Sequence, residues 1–307
     1  MMGAVVIAVC TRDRPVSLGR CLASLAELRL SSSLSLKLLI VDNGMSLEGS
    51  TGILDAMKSR LAGLSPELLH EPRPGIPIAR NRALEFARAS NADAVIFLDD
   101  DQTVAPDWAV TLCRVQQEEG CDAVKCEVRW IFEPPQKFQE FFRRMSGGPS
   151  SLRERYASYN VATNGVLISK RLWGDWGLRF NENFALTGGT DVEFFARAWR
   201  QGAVLFHTSE TFATEFCDAD KQTVSWLARR AFRIGNMEAL MRLGGETRMQ
   251  CFGKGLWWIP YNAVIAALRL PRPYASLKHL LKMARGAGLV LGALGIRWEE
   301  YRKVVGS

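Results

Sequence analysis

Short unbroken apolar runs along this chain alternate with longer stretches in which apolar residues return every three or four positions. Val5 to Val9 and Leu38 to Val41 are runs of the first kind, rich in β-branched residues, and they predict strands buried on both faces. Between them Pro15 to Leu25 has helical spacing and a proline at its start. Strand, helix, strand in that order predicts a parallel pair joined by a right-handed crossover. The alternation continues with helices over Gly52 to Leu61 and Ile78 to Ala89, a strand over Ala94 to Leu98, a helix from Trp108 to Gln117 and a strand over Ala123 to Trp130. Ala162 to Ser169 and Ala203 to His207 predict further strands, separated by a helix over Asp191 to Gln201. A Pro-, Gly- and Ser-rich stretch at 134–155 with paired aromatics reads as a mobile or acceptor-facing loop. The predicted fold class is α/β, a mostly parallel sheet flanked by helices over 1–215, followed by a helical region over 216–307.

Charge divides the chain at about the same place. From Lys221 onward there are 15 Lys and Arg against 4 Asp and Glu, a surplus of +11, which leaves the first 220 residues at −4. Two apolar segments lie in this basic tail, Gly255 to Leu268 and Gly286 to Ile296. Both are shorter than the ~20 residues a membrane span needs, and Pro260 interrupts the first. With Trp257 and Trp258 at headgroup depth and Lys278, Lys282, Arg285 and Arg297 beside them, they suit helices lying in a membrane surface. Ordinary packing on the first domain is the alternative. No nucleic-acid-binding motif accompanies the charge, so nucleic acid is not an expected partner. The 7 cysteines are odd in number and contain no C-x-x-C pair, which points away from disulfides and zinc and towards a reducing cytoplasm. Met1 to Cys10 is apolar but lacks a basic n-region and a cleavage site, and reads as a first strand rather than a signal peptide.

The strand Ala94 to Leu98 runs directly into Asp99, Asp100 and Asp101. Ligands of α/β folds sit at the carboxyl ends of the strands, and three adjacent carboxylates there call for a positive partner. A hard cation such as Mg²⁺ or Mn²⁺, shared with substrate phosphates, is one answer. A solvated loop start ahead of a helix opened by Pro106 and Asp107 is the other. Thr11, Arg12, Asp13 and Arg14 follow the first strand, Asp42, Asn43 and Gly44 follow the second, and Arg80, Asn81 and Arg82 lie in the first turns of a helix. Arginines and helix N-termini are phosphate donors, and Asp42 can accept from a ribose or base. Each also has a plain structural use, as a cap, a tight turn or a solvated face. Gly188 and Gly189 precede Asp191 at a helix start; they permit close approach of a substrate, while Asp191 serves equally as an N-cap.

Taken together the motifs resemble the family 2 glycosyltransferases of the GT-A fold, of the bacterial exopolysaccharide or cell-surface type. The matching residues are Thr11 to Pro15, Val41 to Gly44, Ala79 to Asn81, Asp99 to Asp101 with Pro106 and Asp107, Thr163 to Gly165, Phe180 to Glu182 and Gly188 to Asp191. The resemblance implies a nucleotide-diphosphate sugar donor such as a UDP-sugar, inversion at the anomeric carbon, and Mg²⁺ or Mn²⁺ on the diphosphate. Asp191 would be the general base, and Thr11, Arg12, Arg14, Asp42, Arg80, Asn81, Asp99 and Asp100 would bind the donor. Asp99 and Asp101 would hold the metal with Glu215, His207 being the other candidate. Asn164, Gly188 and Gly189 would lie on the side of a saccharide or lipid-linked acceptor. Thr190 stands where the family usually has Glu, and Gln222 to Trp226 lacks the arginine of the processive Gln-x-x-Arg-Trp motif, so a single addition is expected. The implied location is peripheral, on the cytoplasmic face of the cell membrane. The alternatives are a sugar nucleotidyltransferase, which usually wants a Gly-rich loop that Ala8 to Arg12 does not supply, and a non-catalytic nucleotide-sugar-binding protein.

Overall fold

In a computed structural model, which describes residues 3–32, 34–133, 152–218, 222–242 and 245–299, the sheet is organised around β1 (Ala4–Thr11). β1 pairs in parallel with β2 (Ser35–Asp42) on one side and β4 (Ala94–Asp99) on the other, and β3 (Glu67–His70) extends the parallel half beyond β2. The register sets Thr11 opposite Asp42 and Cys10 opposite Asp99, so three of the polar strand ends are level at one edge. Across the described residues the sheet has nine strands in the order β3-β2-β1-β4-β8-β6-β9-β5, with β7 also on β9. The remaining strands are β5 (Gln102–Val104), β6 (Ala123–Glu133), β7 (Arg153–Arg155), β8 (Val166–Ser169) and β9 (Leu205–Asp218). β8 is antiparallel to β4 and β6, and β9 is antiparallel to β5 and β7, so the parallel half is the one that carries the motifs.

Period-2 alternation in the central strands feeds two cores. Val5, Ile7, Val9, Leu38, Ile40 and Ile96 face α1 (Pro15–Leu25) and α4 (Trp108–Glu119), burying Leu18, Leu22, Trp108 and Leu112. Val6, Ala8, Leu39, Val41, Val95 and Phe97 face α3 (Ile76–Ala89) and α5 (Thr190–Arg200), burying Leu84, Phe194 and Phe195. α2 is Glu48–Met57, a few residues earlier than its apolar spacing suggested.

Three differences from the sequence reading have physical causes. β3, β5 and β7 are three or four residues long, too short for any periodicity to show. β9 runs for 14 residues rather than ending at His207, because its start pairs with β7 through Phe206–Thr208 and its far end pairs with β5 through Ala213–Glu215. Of the stretch at 134–155, residues up to 151 lie outside the described residues, and Arg153–Arg155 is a strand.

The chain divides into two units. The first contains the described residues up to Ile131, then up to Ala185, and Thr190–Phe216; the second contains Phe132, Leu186–Gly189 and the described residues from Cys217 on. In the second unit α6 (Val224–Met241), α7 (Arg248–Leu268) and α8 (Pro273–Ala293) pack through glycines. A Cβ on Gly288 would lie 2.0 Å from the Phe232 carbonyl oxygen, and one on Gly255 would lie 2.6 Å from that of Gly286. Trp258 packs against the Cys251 and Leu289 interior, with Lys254 and Arg285 over its ring, whereas Trp257 is exposed. Only one of the two tryptophans therefore faces outward, since adjacent helical positions are about 100° apart. Among the described residues no helix is long and apolar enough to cross a membrane.

Candidate active site

At the end of β1 the Thr11 hydroxyl donates to Asp100 Oδ2 at 2.8 Å, and Arg14 Nη1 lies 3.4 Å from Asp100 Oδ1 and 3.7 Å from Asp101 Oδ2. Asp100 is therefore a buried acceptor that ties the β1 end to the β4 end. Burial raises its carboxyl above the usual range, against the pull of Arg14 and the Thr11 hydrogen bond. Arg80, buried in the first turns of α3, places Nη2 3.7 Å from Asp99 Oδ1 and its guanidinium over the Phe180 ring. Burial pushes Asp99 up to about 7; Arg80 opposes it, and Asp101, Glu215 and Asp100 add to the rise.

Asp42 ends β2 with its side chain already engaged, accepting from the Gly44 N–H at 2.7 Å and from the Ser50 hydroxyl. A Cβ on Gly44 would lie 2.5 Å from Asp13 Oδ1 and 2.9 Å from Asp42 Oδ1, so a side chain there would displace one or both carboxylates. Asn43 donates to the carbonyls of Glu71 and Arg73 and accepts from the Gly75 N–H, which fixes the approach to α3. Arg12 lies 3.7 Å from Asp13.

Glu215 stands opposite Gln102 in the β5–β9 register, next to Asp101 in the fold, since the Phe216 N–H donates to the Asp101 carbonyl. Its Oε2 accepts from Asn164 Nδ2 at 3.1 Å and Gln102 Nε2 at 3.4 Å. His207 is eight positions earlier on β9, opposite Glu154 and against the Tyr156 ring. Between these groups lies a residue that sequence reasoning missed. Lys125, buried on β6, donates its ammonium to the Asn164 carbonyl. Burial lowers its pKa, and the charges of Cys126, Asp99, Glu215 and Asp191 raise it again, so the β4 end, β9 and the α5 start all act on one ammonium. The available signal was a lysine in an otherwise strand-forming run, Ala123 to Cys126.

Asp191 lies in the first turn of α5, half-buried, with Oδ1 accepting from the Val192 N–H at 2.9 Å. Gly188 and Gly189 have φ of 79° and 71°, and a Cβ on Gly189 would overlap Met237 of α6, so a side-chain contact also accounts for glycine there. Asn81, expected at the donor, has its side chain committed elsewhere. It donates to the Phe180 carbonyl and to Glu182, accepts from the Phe180 N–H, and borders an open cavity of about 490 Å³ with Glu85, Arg179 and Arg197.

Among the described residues no three His, Cys, Asp or Glu side chains group as a ready-made metal cage, and Asp99, Asp101 and Glu215 are not one. Both amide donors of Glu215 meet its Oε2. The Asp99 and Asp101 carboxylates are hard oxygen ligands, and one or two of these plus substrate phosphates is how Mg²⁺ is usually held. The residues present fit a divalent ion that arrives with a diphosphate.

A mostly parallel sheet whose strand ends bring Thr11, Asp42 and Asp99 to one edge, with Arg14 and Arg80 on the neighbouring carboxylates, has the architecture of the GT-A glycosyltransferases. The model of glycosyl transferase family 2 matches residues 5–165, and the chain belongs to that family. It is similar to the succinoglycan biosynthesis protein ExoM of Rhizobium meliloti (strain 1021), 27% identical over 96% of this chain and 94% of ExoM. Among solved structures it is similar to the mannosyltransferase PcManGT of Pyrobaculum calidifontis in complex with GDP-Man and Mn²⁺, with TM-score 0.65, 17% identity, and coverage of 95% and 86% of the two chains. S. aureus TarS 1–349 in complex with UDP-GlcNAc gives TM-score 0.53 and 14% identity over 94% and 90%. The chain spans 55% of a longer TarS chain.

Proposed function

We propose that this protein is an inverting glycosyltransferase of bacterial surface-polysaccharide synthesis. It moves a sugar from a nucleotide-diphosphate donor, a UDP-sugar in our reading, to a hydroxyl of a lipid-linked or cell-surface saccharide in a single addition. The observation that carries the reading is the level row of polar strand ends, Thr11, Asp42 and Asp99, with Arg14 on Asp100 and Arg80 on Asp99 beside it. ExoM supports the polysaccharide context, and PcManGT and TarS support a nucleotide-sugar donor.

Thr11, Arg12, Arg14 and Asp42 hold the nucleotide end of the donor, and Arg80 faces the diphosphate. Asp99 and Asp101 would hold Mg²⁺ or Mn²⁺, which when bound offsets the charge that develops on the leaving diphosphate. Asp191 accepts the proton of the acceptor hydroxyl as its oxygen bonds to the anomeric carbon. The bond from that carbon to the diphosphate oxygen breaks on the opposite face. Asn164, held by Lys125 and Glu215, lies on the acceptor side. The first unit carries this chemistry and the second carries membrane contact, at the cytoplasmic face.

The test is Asp191→Asn, which keeps an acceptor for the Val192 N–H. Removing a general base should lower turnover about 10²- to 10⁴-fold, while UDP binding measured by calorimetry is unchanged. Turnover within a few-fold of wild type would remove Asp191 from the role.

A further inference from the structure

In the second unit the inward face of α7 carries Cys251, Gly255, Asn262 and Ala266. The opposite face is apolar and open. Leu256, Trp257, Tyr261, Val264 and Leu268 are all more than half exposed and recur at helical spacing as one stripe, which Leu270 and Tyr274 continue past the helix end. Trp257 and Tyr261 stack at 6.1 Å. From Arg248 to Ala293 the sequence contains no Asp or Glu. Arg269, Arg272, Lys278 and Lys282 are exposed in this stretch, and among the described residues no carboxylate pairs with any of them. Lys254 and Arg285 differ, being taken up by Glu238 and Glu246. Three of the four free cations crowd His279, whose pKa burial and the charges of Arg269, Lys282 and Lys278 lower.

We propose that this face of α7, with the cationic turn into α8, docks on a bilayer rich in anionic lipid. α7 lies in the plane of the interface, its leucine, valine and aromatic stripe at the acyl boundary, and the four cations meet headgroup phosphates. A second copy does not fit the same surface. A two-fold contact through it would bring identical unpaired cations together. The inference deepens the membrane part of the proposed function by naming the surface and the lipid chemistry, and its test reads binding rather than sugar transfer.

The full chain is sedimented with vesicles of phosphatidylcholine alone and of phosphatidylcholine mixed with phosphatidylglycerol, at low and high salt. At low salt the mixed vesicles should bind at least about 25-fold and up to about 600-fold tighter, because each of the four cations near an anionic surface contributes roughly fivefold. Arg269→Ser with Arg272→Ser should remove about 25-fold on mixed vesicles by the same reasoning. Trp257→Ser with Leu268→Ser should weaken binding and abolish quenching by lipids brominated near the headgroup. All four positions are exposed, so the variants should keep wild-type circular dichroism and donor hydrolysis. Equal binding to both vesicle types, or variants that bind like wild type, overturns the proposal. So does a dimer in vesicle-free solution that Trp257→Ser dissociates, or tighter binding to single-stranded RNA than to mixed vesicles. Failure of transfer in Asp191→Asn bears on the chemistry alone and leaves this result untouched.

Discussion

Asn81 lies in the motif that suggested donor binding, yet its hydrogen bonds point to a structural clamp. Its side chain pairs with both main-chain groups of Phe180, 99 residues away, donating to the carbonyl at 2.9 Å and accepting from the N–H at 2.8 Å. Phe180 is fully buried, stacked on Phe194 at 4.5 Å and edge-on to Phe97 at 5.6 Å, with Arg80 over its other side. Asn81→Ala leaves both groups unpaired. Each buried unsatisfied group costs about 1–3 kcal/mol, and water from the adjoining cavity recovers part of that, so the expected loss is about 2–4 kcal/mol. Asn81→Asp should be worse near neutral pH. It loses the donor to the Phe180 carbonyl and sets a carboxylate beside Glu182, whose Oε1 is now 2.9 Å from the amide. That variant should regain stability in acid, when a protonated carboxyl can donate again. Urea unfolding followed by circular dichroism gives the stability change, and titration with UDP gives the donor affinity. An unchanged unfolding midpoint for Asn81→Ala, together with a many-fold loss of UDP affinity, would refute the clamp and return Asn81 to the donor site.

Gly288→Ala should destabilise the helical unit by about 1–3 kcal/mol or more, the usual cost of overpacking, since its Cβ would sit 2.0 Å from a backbone oxygen; an unchanged melting temperature would contradict the close crossing. Asp101→Asn should weaken Mn²⁺ binding in the presence of UDP, read by calorimetry, and equal affinity would remove Asp101 as a ligand. His207 has its pKa lowered from 6.5 to about 4 by burial, with Lys125 adding to the fall. The unfolded chain then binds the proton that the folded chain refuses, so stability should fall as pH drops from about 6.5 to about 4 and level off below. His207→Gln should flatten that slope in urea titrations; an unaltered slope would assign it to other groups.

The parts of the fold legible in the sequence are those where one residue pattern serves both packing and chemistry. β1, β2 and β4 are apolar runs that stop at Thr11, Asp42 and Asp99, so their ends announce the sheet edge and the candidate site together. What stayed hidden depends on partners distant in sequence. Nothing near Asn81 in the chain points to Phe180, nothing near Gly189 points to Met237, and it is Asn164, bonded to both Lys125 and Glu215, that joins β6 to β9. Trp257 and Trp258 are a different case. Adjacent helical positions point about 100° apart, so the pair straddles the edge of the outward face, and the sequence held enough to say so.

Charge balance ties these pieces to the proposed metal. Asp99, Asp100, Asp101 and Glu215 supply four carboxylates, and Arg14, Arg80 and Lys125 supply three cations that act on them. Burial is the largest cause of the rise of Asp99 to about 7, and the neighbouring carboxylates of Asp101, Glu215 and Asp100 add to it. A nucleotide diphosphate would add negative charge to a group already short of positive charge. Arg80 and Arg14 would have to be shared between it and Asp99 and Asp100. A divalent ion that arrives with the donor would relieve both deficits at once, at the Asp99 and Asp101 carboxylates. On this reading the protein's own cations hold the acidic strand ends together between turnovers, and donor affinity should depend more steeply on the divalent ion than on any single arginine.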